Sequence, residues 1–588
     1  MLIIDVATYL FIILFYSAVI IGYGAKFKNL FFKADKNSIG EFGIYGFIVL
    51  YFLSTLIHFF IAINLAINLF IFAIGIYLFA KEIKLNQINF LINKKFVIVF
   101  LLFFLLSFTN QFHDDAYLYQ LPYINYVQKF KIIFGIVTIN DYMAYGHGFY
   151  DILALFKLPK ISNSLIFTLP VIFLAFFILY LYEQRKNYNY YIKFFLVIII
   201  ITLLFRYYQS KDYGTDLPVL VLIFLVQINL INYFFNKNIN FFYKSILYLV
   251  TGILFKIYMI FSIFYLIPFI FLTKIKKIKF EKHKNIIFFI FLLIFLSIGK
   301  NVIHSGCLIY PIHQTCFEPE KLSWSYGKDL SKKRMTFLSA NNKGWLSYYR
   351  FMPKSKFFEP DVYIKIYKYN YHKNLIKDQD FFSFIFIIAI FLILLNLNKK
   401  IQITNKIQIN NKQTRLSPNQ KKYLFFSSLF AFFSWFILTP HLRYGGYGFL
   451  IFLLFSTSII LNLNINLDFK KTKIFICIAL SFLIIKNFSR IYKEISYEQF
   501  SVIPQFENIS FSTKKISSFN INISKDNNFC GNIEMLCIIK SNLLSIKNIR
   551  TLNSFLLITN NKNQALNNMK LEVERARKKI NKDRLKNN

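Results

Sequence analysis

"SILYLVTGILFKIYMIFSIFYLIPFIFLT", residues 245–273, decides how this chain is threaded. It runs for about 29 residues with no carboxylate and one cation, Lys256. One crossing of a bilayer core takes about 20 helical residues, so the run is long for one span and short for two. The loops around it choose. Cytoplasmic loops of helical membrane proteins are enriched in Lys and Arg. The stretch "KIKKIKFEKHK" (274–284) carries six Lys against one Glu, and 398–422 carries seven Lys or Arg and no acid. Lys26, Lys28, Lys33 and Lys36 mark an earlier loop in the same way, as do Lys81, Lys84, Lys94 and Lys95. All four loops share one side only if 245–273 enters and leaves by the same face, as a hairpin of two short helices.

Outward from that hairpin, apolar runs place spans near 2–23, 43–60, 63–80, 96–109, 163–182, 191–206 and 216–235. Further ones follow near 285–300, 381–397, 422–440, 446–463 and 472–488. The fold expected is an all-α polytopic membrane protein of about 13–14 membrane helices with both termini outside. Continuous rather than alternating runs exclude a closed β-barrel. The composition agrees: 56% of residues are hydrophobic and 20% aromatic.

The formal charge of +41 comes from 69 Lys and Arg against 28 Asp and Glu. Much of the Lys lies in loops, where topology and anionic lipid headgroups account for it, so no nucleic-acid partner is expected. The first cation is Lys26 and Asp5 precedes it, so no cleaved signal peptide is expected. The location expected is a bacterial inner (plasma) membrane.

This threading leaves 110–162, 207–216, 301–380 and 489–588 on the outer face. Three parts result: spans of 1–95 as an N-terminal addition, a membrane core over 96–488, and an outer domain over 489–588. Period-two patches such as "FNINIS" give that last part an α+β character, and it ends in a basic run read as a helix. Four of the five cysteines, Cys307, Cys316, Cys530 and Cys537, fall in the outer segments. An oxidising compartment favours disulfides there, with pairing of sequence neighbours the simplest arrangement. The rival is zinc on "HSGCLIYPIHQTC", although five residues between its two His-Cys pairs is short for a structural zinc site.

Four polar groups stand where apolar sequence would be easier. "HDDAYLYQLP" (113–122) sets Asp114 and Asp115 at the outer exit of the fourth span. Behind it, 117–131 has helical spacing and reads as a helix lying in the interface. The plainer reading of this loop is a connector. Lys256 is the second group, either snorkelling to the interface or holding a phosphate. Third, "PHLRYG" (440–445) packs His441, Arg443 and Tyr444 into a short turn, as an interface anchor or an anion clamp. Fourth, "RYYQSKDYGTDLP" (206–218) carries Arg206, Lys211, Asp212 and Asp216, with Asp216 placed to cap a helix. Carboxylates and cations on one membrane face suit transfer from a lipid phosphate: the carboxylate takes a hydroxyl proton and the cations hold the departing phosphate.

At these residues the chain resembles polytopic glycosyltransferases of the GT-C class, most closely a largely uncharacterised bacterial branch. The branch carries an Asp-x3-Tyr-His-Leu-Pro pattern, matched by Asp115, Tyr119, Leu121 and Pro122 with Gln120 in place of His. "SGCLIYP" (305–311) and "PHLRYG" are similar to two further elements of that branch. The resemblance implies an inverting transferase that takes sugar from a polyprenyl-phosphate donor in the membrane lipid. Its acceptor would be a glycan, lipid or protein for a surface glycan or glycolipid. It makes Asp115 the base, with Asp114 next. Tyr119, Gln120, Lys256, Arg443, Tyr444 and His441 become substrate-binding residues. A divalent cation is left open, and no organic cofactor is expected. Two other classes compete: a surface-polysaccharide polymerase or ligase centred on 301–380 and Arg443, and a transporter or flippase for lipid-linked substrates.

Overall fold

A computed structural model describes residues 2–84 except 34 and 36, 115–158 except 146 and 147, 165–207 except 186, 187 and 189, 214–272 and 283–342. It further describes 385, 388–393, 416–461 except 440 and 441, 469–496, and in the tail 503, 509–525 except 517 and 518, 530–532, 536–538, 546–552 and 555–560. The expected span at 96–109 lies outside the described residues, and so does most of 381–397.

Apolar runs become helices because a buried backbone must bond internally. The helices are α1 (Leu2–Phe31), α2 (Ile39–Phe60), α3 (Leu65–Lys84), α4 (Leu121–Lys129), α5 (Gly148–Phe156) and α6 (Thr168–Gln184). Then come α7 (Tyr190–Tyr207), α8 (Asp216–Asn236), α9 (Asn240–Phe255), α10 (Ile267–Leu272) and α11 (Lys284–Ser305). The last are α12 (Gly327–Asn342), α13 (Pro418–Leu438), α14 (Tyr447–Ile460) and α15 (Phe469–Ser496). Among the described residues seven helices are long and apolar enough to cross a membrane: α1, α2, α3, α6, α8, α11 and α13. The described part of the chain is thus mainly helical, and these seven helices are compatible with a multi-pass membrane protein. α8 is buried along its whole apolar length and forms the centre of the bundle.

The 245–273 run doubles back. α9 stops at Lys256, whose backbone is extended (φ −160, ψ 126), and a 3₁₀ helix, Ile257–Leu266, leads into α10. Phe242 at the start of α9 meets Phe269 in α10, ring centroids 5.0 Å apart. Tyr233 at the end of α8 joins them, 4.7 Å from Phe269. The second limb is 3₁₀ for most of its length. At about 2 Å rise per residue, that lets few residues reach far.

The first three helices pack into the same bundle as the spans that follow them. Tyr16 donates to the Phe156 carbonyl at 2.6 Å. Glu41 of α2 binds Lys244 of α9 at 2.5 Å, and Thr55 donates to Asp151 of α5 at 3.1 Å.

The helix expected to lie in the interface, now α4, is a second correction. It is buried from Leu121 to Val127. One side packs on the bundle and the tail covers the other, so no face remains for lipid. Cys530 and Gly531 donate backbone N–H bonds to the Tyr117 carbonyl at 3.1 and 2.9 Å. The Tyr126 hydroxyl bonds both the N–H and the carbonyl of Cys537, each at 2.8 Å. The tail holds two small sheets. In one, β1 (Phe511–Ile516) pairs antiparallel with β2 (Phe519–Ser524), which pairs parallel with β3 (Cys537–Ile538). In the other, β4 (Ile546–Leu552) and β5 (Phe555–Asn560) form an antiparallel pair beside Phe134. The basic end of the chain, 561–588, lies outside the described residues.

Candidate functional site

Lys256 sits at the hairpin tip because α9 ends there, its own N–H still bonding Gly252 O at 2.8 Å. Its ammonium forms an ion pair with Asp216 at the head of α8. It also lies 4.8 Å over the ring of Tyr444 and 5.5 Å from that of Tyr258. Tyr444 comes from the turn Leu442–Gly446 before α14. There Gly445 takes φ 81, a value side chains resist, so the chain can bend and set Tyr444 against Tyr258. Both partners of the pair are about one-fifth exposed, at 20% and 23%, so the pair lies at the edge of the bundle rather than sealed within it.

The helix-cap reading of Asp216 is corrected here. Thr215 occupies the cap position without a side-chain bond, and the Asp216 carboxylate goes to Lys256 instead. A cap contributes about 1 kcal/mol, whereas an amine left unpaired in apolar surroundings costs several, so the pair wins.

Asp115 stands at the head of a single π turn, Ala116–Gln120, that runs into α4. The turn and the Lys256 tip border the same short helix, α5, from two sides. Tyr119 lies 6.3 Å from Tyr150, while the neighbouring Phe149 lies 5.4 Å from Phe255. Gly148 must be bare, since a Cβ there would press on the Tyr51 ring and sit 3.1 Å from Leu254 O. Burial pushes the Tyr119 hydroxyl well above its usual pKa, with Tyr150 and then the Asp115 carboxylate adding to the effect. Gln120 is buried, and its Oε1 has no hydrogen-bond partner among the described residues. Asp114, Pro440, His441 and residues 208–213 lie outside the described residues, as do the side chains of Arg206 and Arg443.

Further ion pairs also escaped the sequence reading. Asp151 on α5 pairs with Lys300 on α11, both buried. Thr55 and Tyr123 donate to the same carboxylate at 3.1 and 3.0 Å. In the segment before α5, Asp141 pairs with Arg334 of α12 at 2.6 Å. Arg334 Nε also donates to the Tyr145 hydroxyl at 2.8 Å, and its plane lies 4.4 Å over Tyr142. For Asp151 and Lys300 the available signal was one charge inside an apolar run, "FYDILALF" and "LSIGKNVI".

Disulfides join Cys307 to Cys316 and Cys530 to Cys537. The first pairing removes both thiolates that the zinc reading of 304–316 needs. Among the described residues no three His, Cys, Asp or Glu side chains gather as metal ligands. What these residues offer chemically is a carboxylate at the turn beside Tyr119 and Tyr150 and, at the hairpin tip, a partly exposed cation with a counter-ion under Tyr444.

No curated protein and no solved structure matches the chain. One family, described as "Domain of unknown function (DUF8201)", matches residues 6–450, about three quarters of the chain. The matched region runs from α1 into α14 and contains Asp115, Asp151, Asp216, Lys256, Lys300 and Tyr444. The chain belongs to that family.

Proposed function

We propose that this protein is a glycosyltransferase of the outer membrane face, moving a sugar from a polyprenyl-phosphate donor to an acceptor hydroxyl. The observation that carries the reading is Lys256. A partly exposed cation at the tip of a membrane hairpin is paired with Asp216 under Tyr444, and the Asp115 turn flanks the same helix, α5. In the proposed reaction the acceptor oxygen attacks the anomeric carbon and the bond from that carbon to the phosphate oxygen breaks. The hydroxyl proton passes to Asp115, and the electron pair leaves with the lipid phosphate, held by Lys256. Two disulfides at this end of the bundle favour an oxidising compartment and hence the outer face. An intramembrane pair such as Asp151–Lys300 is the kind of feature transporters use, and it favours a lipid-linked-substrate transporter as the second reading.

Native mass spectrometry of the full-length protein with undecaprenyl phosphate tests the proposal. A complex weakened at least tenfold by Lys256→Met is the expected result. Equal binding by the variant would overturn the role of Lys256.

A further inference from the structure

Two histidines stand one helical turn beyond the Asp151–Lys300 pair. Thr55 on α2 and Lys300 on α11 hold the Asp151 carboxylate, and His58 and His304 follow them by three and four residues. That spacing sets each ring on the same helix face as the contact before it. Both rings then meet α4 and the backbone just after it. His304 lies edge-on to Tyr123 with ring centroids 6.0 Å apart, and Lys300 Nζ lies 5.4 Å over that same ring. His58 Nε2 donates to the Phe130 carbonyl at 3.3 Å, and the Ile132 N–H donates to the His58 carbonyl at 3.2 Å. A carbonyl only accepts, so the His58 ring carries its proton on Nε2.

The rings are enclosed, His58 at 3% exposure and His304 at 1%, and His304 Nε2 bonds nothing among the described residues. The groups that face them are Tyr51 from α2, Tyr123 from α4, Tyr150 and Asp151 from α5, and Lys300 from α11. Asp151 is the carboxylate of this set, and both its oxygens are engaged. Tyr123 donates to one, and Thr55 and Lys300 hold the other. With neutral imidazoles the cluster sums to zero charge. A proton on either ring sets a second cation beside Lys300, with no further carboxylate in the set to receive it. An enclosed charge without a partner is far costlier than the same charge in water.

We infer that His58 and His304 form an acid-sensitive latch on α4, the helix that carries the Asp115 turn. Neutral rings hold α4 shut. In acid the cluster relieves its added charge by letting α4 lift, so that water reaches the imidazoles. The opened form takes up protons that the shut form excludes, so acid favours opening and alkali leaves the latch closed. An imidazole in water titrates near about pH 6.5, so opening grows about tenfold for each ring over the next pH unit below. The inference goes beyond the transferase reading and does not depend on it: whatever the outer site does, acidification of the outer compartment loosens it.

Hydrogen exchange of the full-length protein in lipid nanodiscs tests the latch, at about pH 7.5 and about pH 5.5 with intrinsic rates corrected for. Opening over Leu121–Val127 should grow at least tenfold in acid while α8 stays protected. In the double variant His58→Gln, His304→Phe, the amide keeps a donor for Phe130 and the ring keeps its contact with Tyr123. Neither group titrates, so most of that growth should vanish. No growth in the wild type, or equal growth in the variant, would overturn the latch. A second measurement needs no variant: deuteration at the imidazole C2 position, read by mass spectrometry, follows the protonation of each histidine. Both rings should take up protons over the same pH range in which α4 opens. Protonated rings beneath a still-protected α4 would overturn the inference.

Discussion

Lys256 reaches across 40 residues to Asp216 and pairs with it at the tip of the membrane hairpin, beneath the Tyr444 ring. If the pair is a place-holder for a phosphate, its two members respond oppositely to substitution. Lys256→Met removes the cation and should weaken undecaprenyl-phosphate binding at least tenfold. Asp216→Asn removes the competing carboxylate and should leave binding equal or tighter. A purely structural pair would instead lose stability in both variants and shift binding in neither direction.

The Asp151–Lys300 pair behaves differently because it is fully enclosed. Asp151→Asn or Lys300→Met alone strands a buried charge and should lower stability by about 3–5 kcal/mol. The double variant, with neither charge left, should be more stable than either single one. Thermal unfolding of the three variants in detergent checks this, and additive losses in the double variant would contradict it.

The Cys530–Cys537 disulfide closes the loop that grips Tyr117 and Tyr126. Closing so short a loop contributes about 2.5 kcal/mol on chain-entropy grounds. Replacing both cysteines by Ser should raise hydrogen exchange over Tyr117–Val127 and leave α8 protected. A Cys307→Ser, Cys316→Ser variant should loosen 305–326 instead. Identical exchange maps for the two variants would argue against separate clamps.

Burial raises the pKa values of Tyr119, Tyr123, Tyr145 and Tyr310, and for Tyr145 the Arg334 guanidinium pulls the other way. Unfolded, these hydroxyls release protons near about pH 10; folded, they hold them. The folded state therefore binds more protons above that point, so stability is undisturbed below about pH 10 and falls as pH rises beyond it. An alkaline absorbance titration should show these phenols ionising only together with unfolding. Smooth ionisation in the folded protein would contradict their burial.

Much of the bundle was legible because spans and basic loops are local signals. Lys26 to Lys36, the Lys-rich 274–284 and the length of 245–273 together required a hairpin, and Phe242 against Phe269 closes it. Partnership was not legible. Asp216 before Leu217 and Pro218 reads as a cap, since nothing local announces a lysine 40 residues on. Asp151 and Lys300 are 149 residues apart and each looks like an isolated flaw in an apolar run. The tail's grip on α4 was hidden for the same reason. Tyr126 and Cys537 are 411 residues apart, and amphipathic spacing cannot tell a lipid-facing helix from a covered one.

Asp115→Asn, compared with wild type at matched membrane levels, is the most direct test of the transferase proposal. The readout is the protein's surface-glycan product, followed by mass spectrometry of the cell envelope. Loss of that product with folding and membrane abundance intact is the predicted result. Undiminished product would contradict Asp115 as the base and the proposed reaction with it.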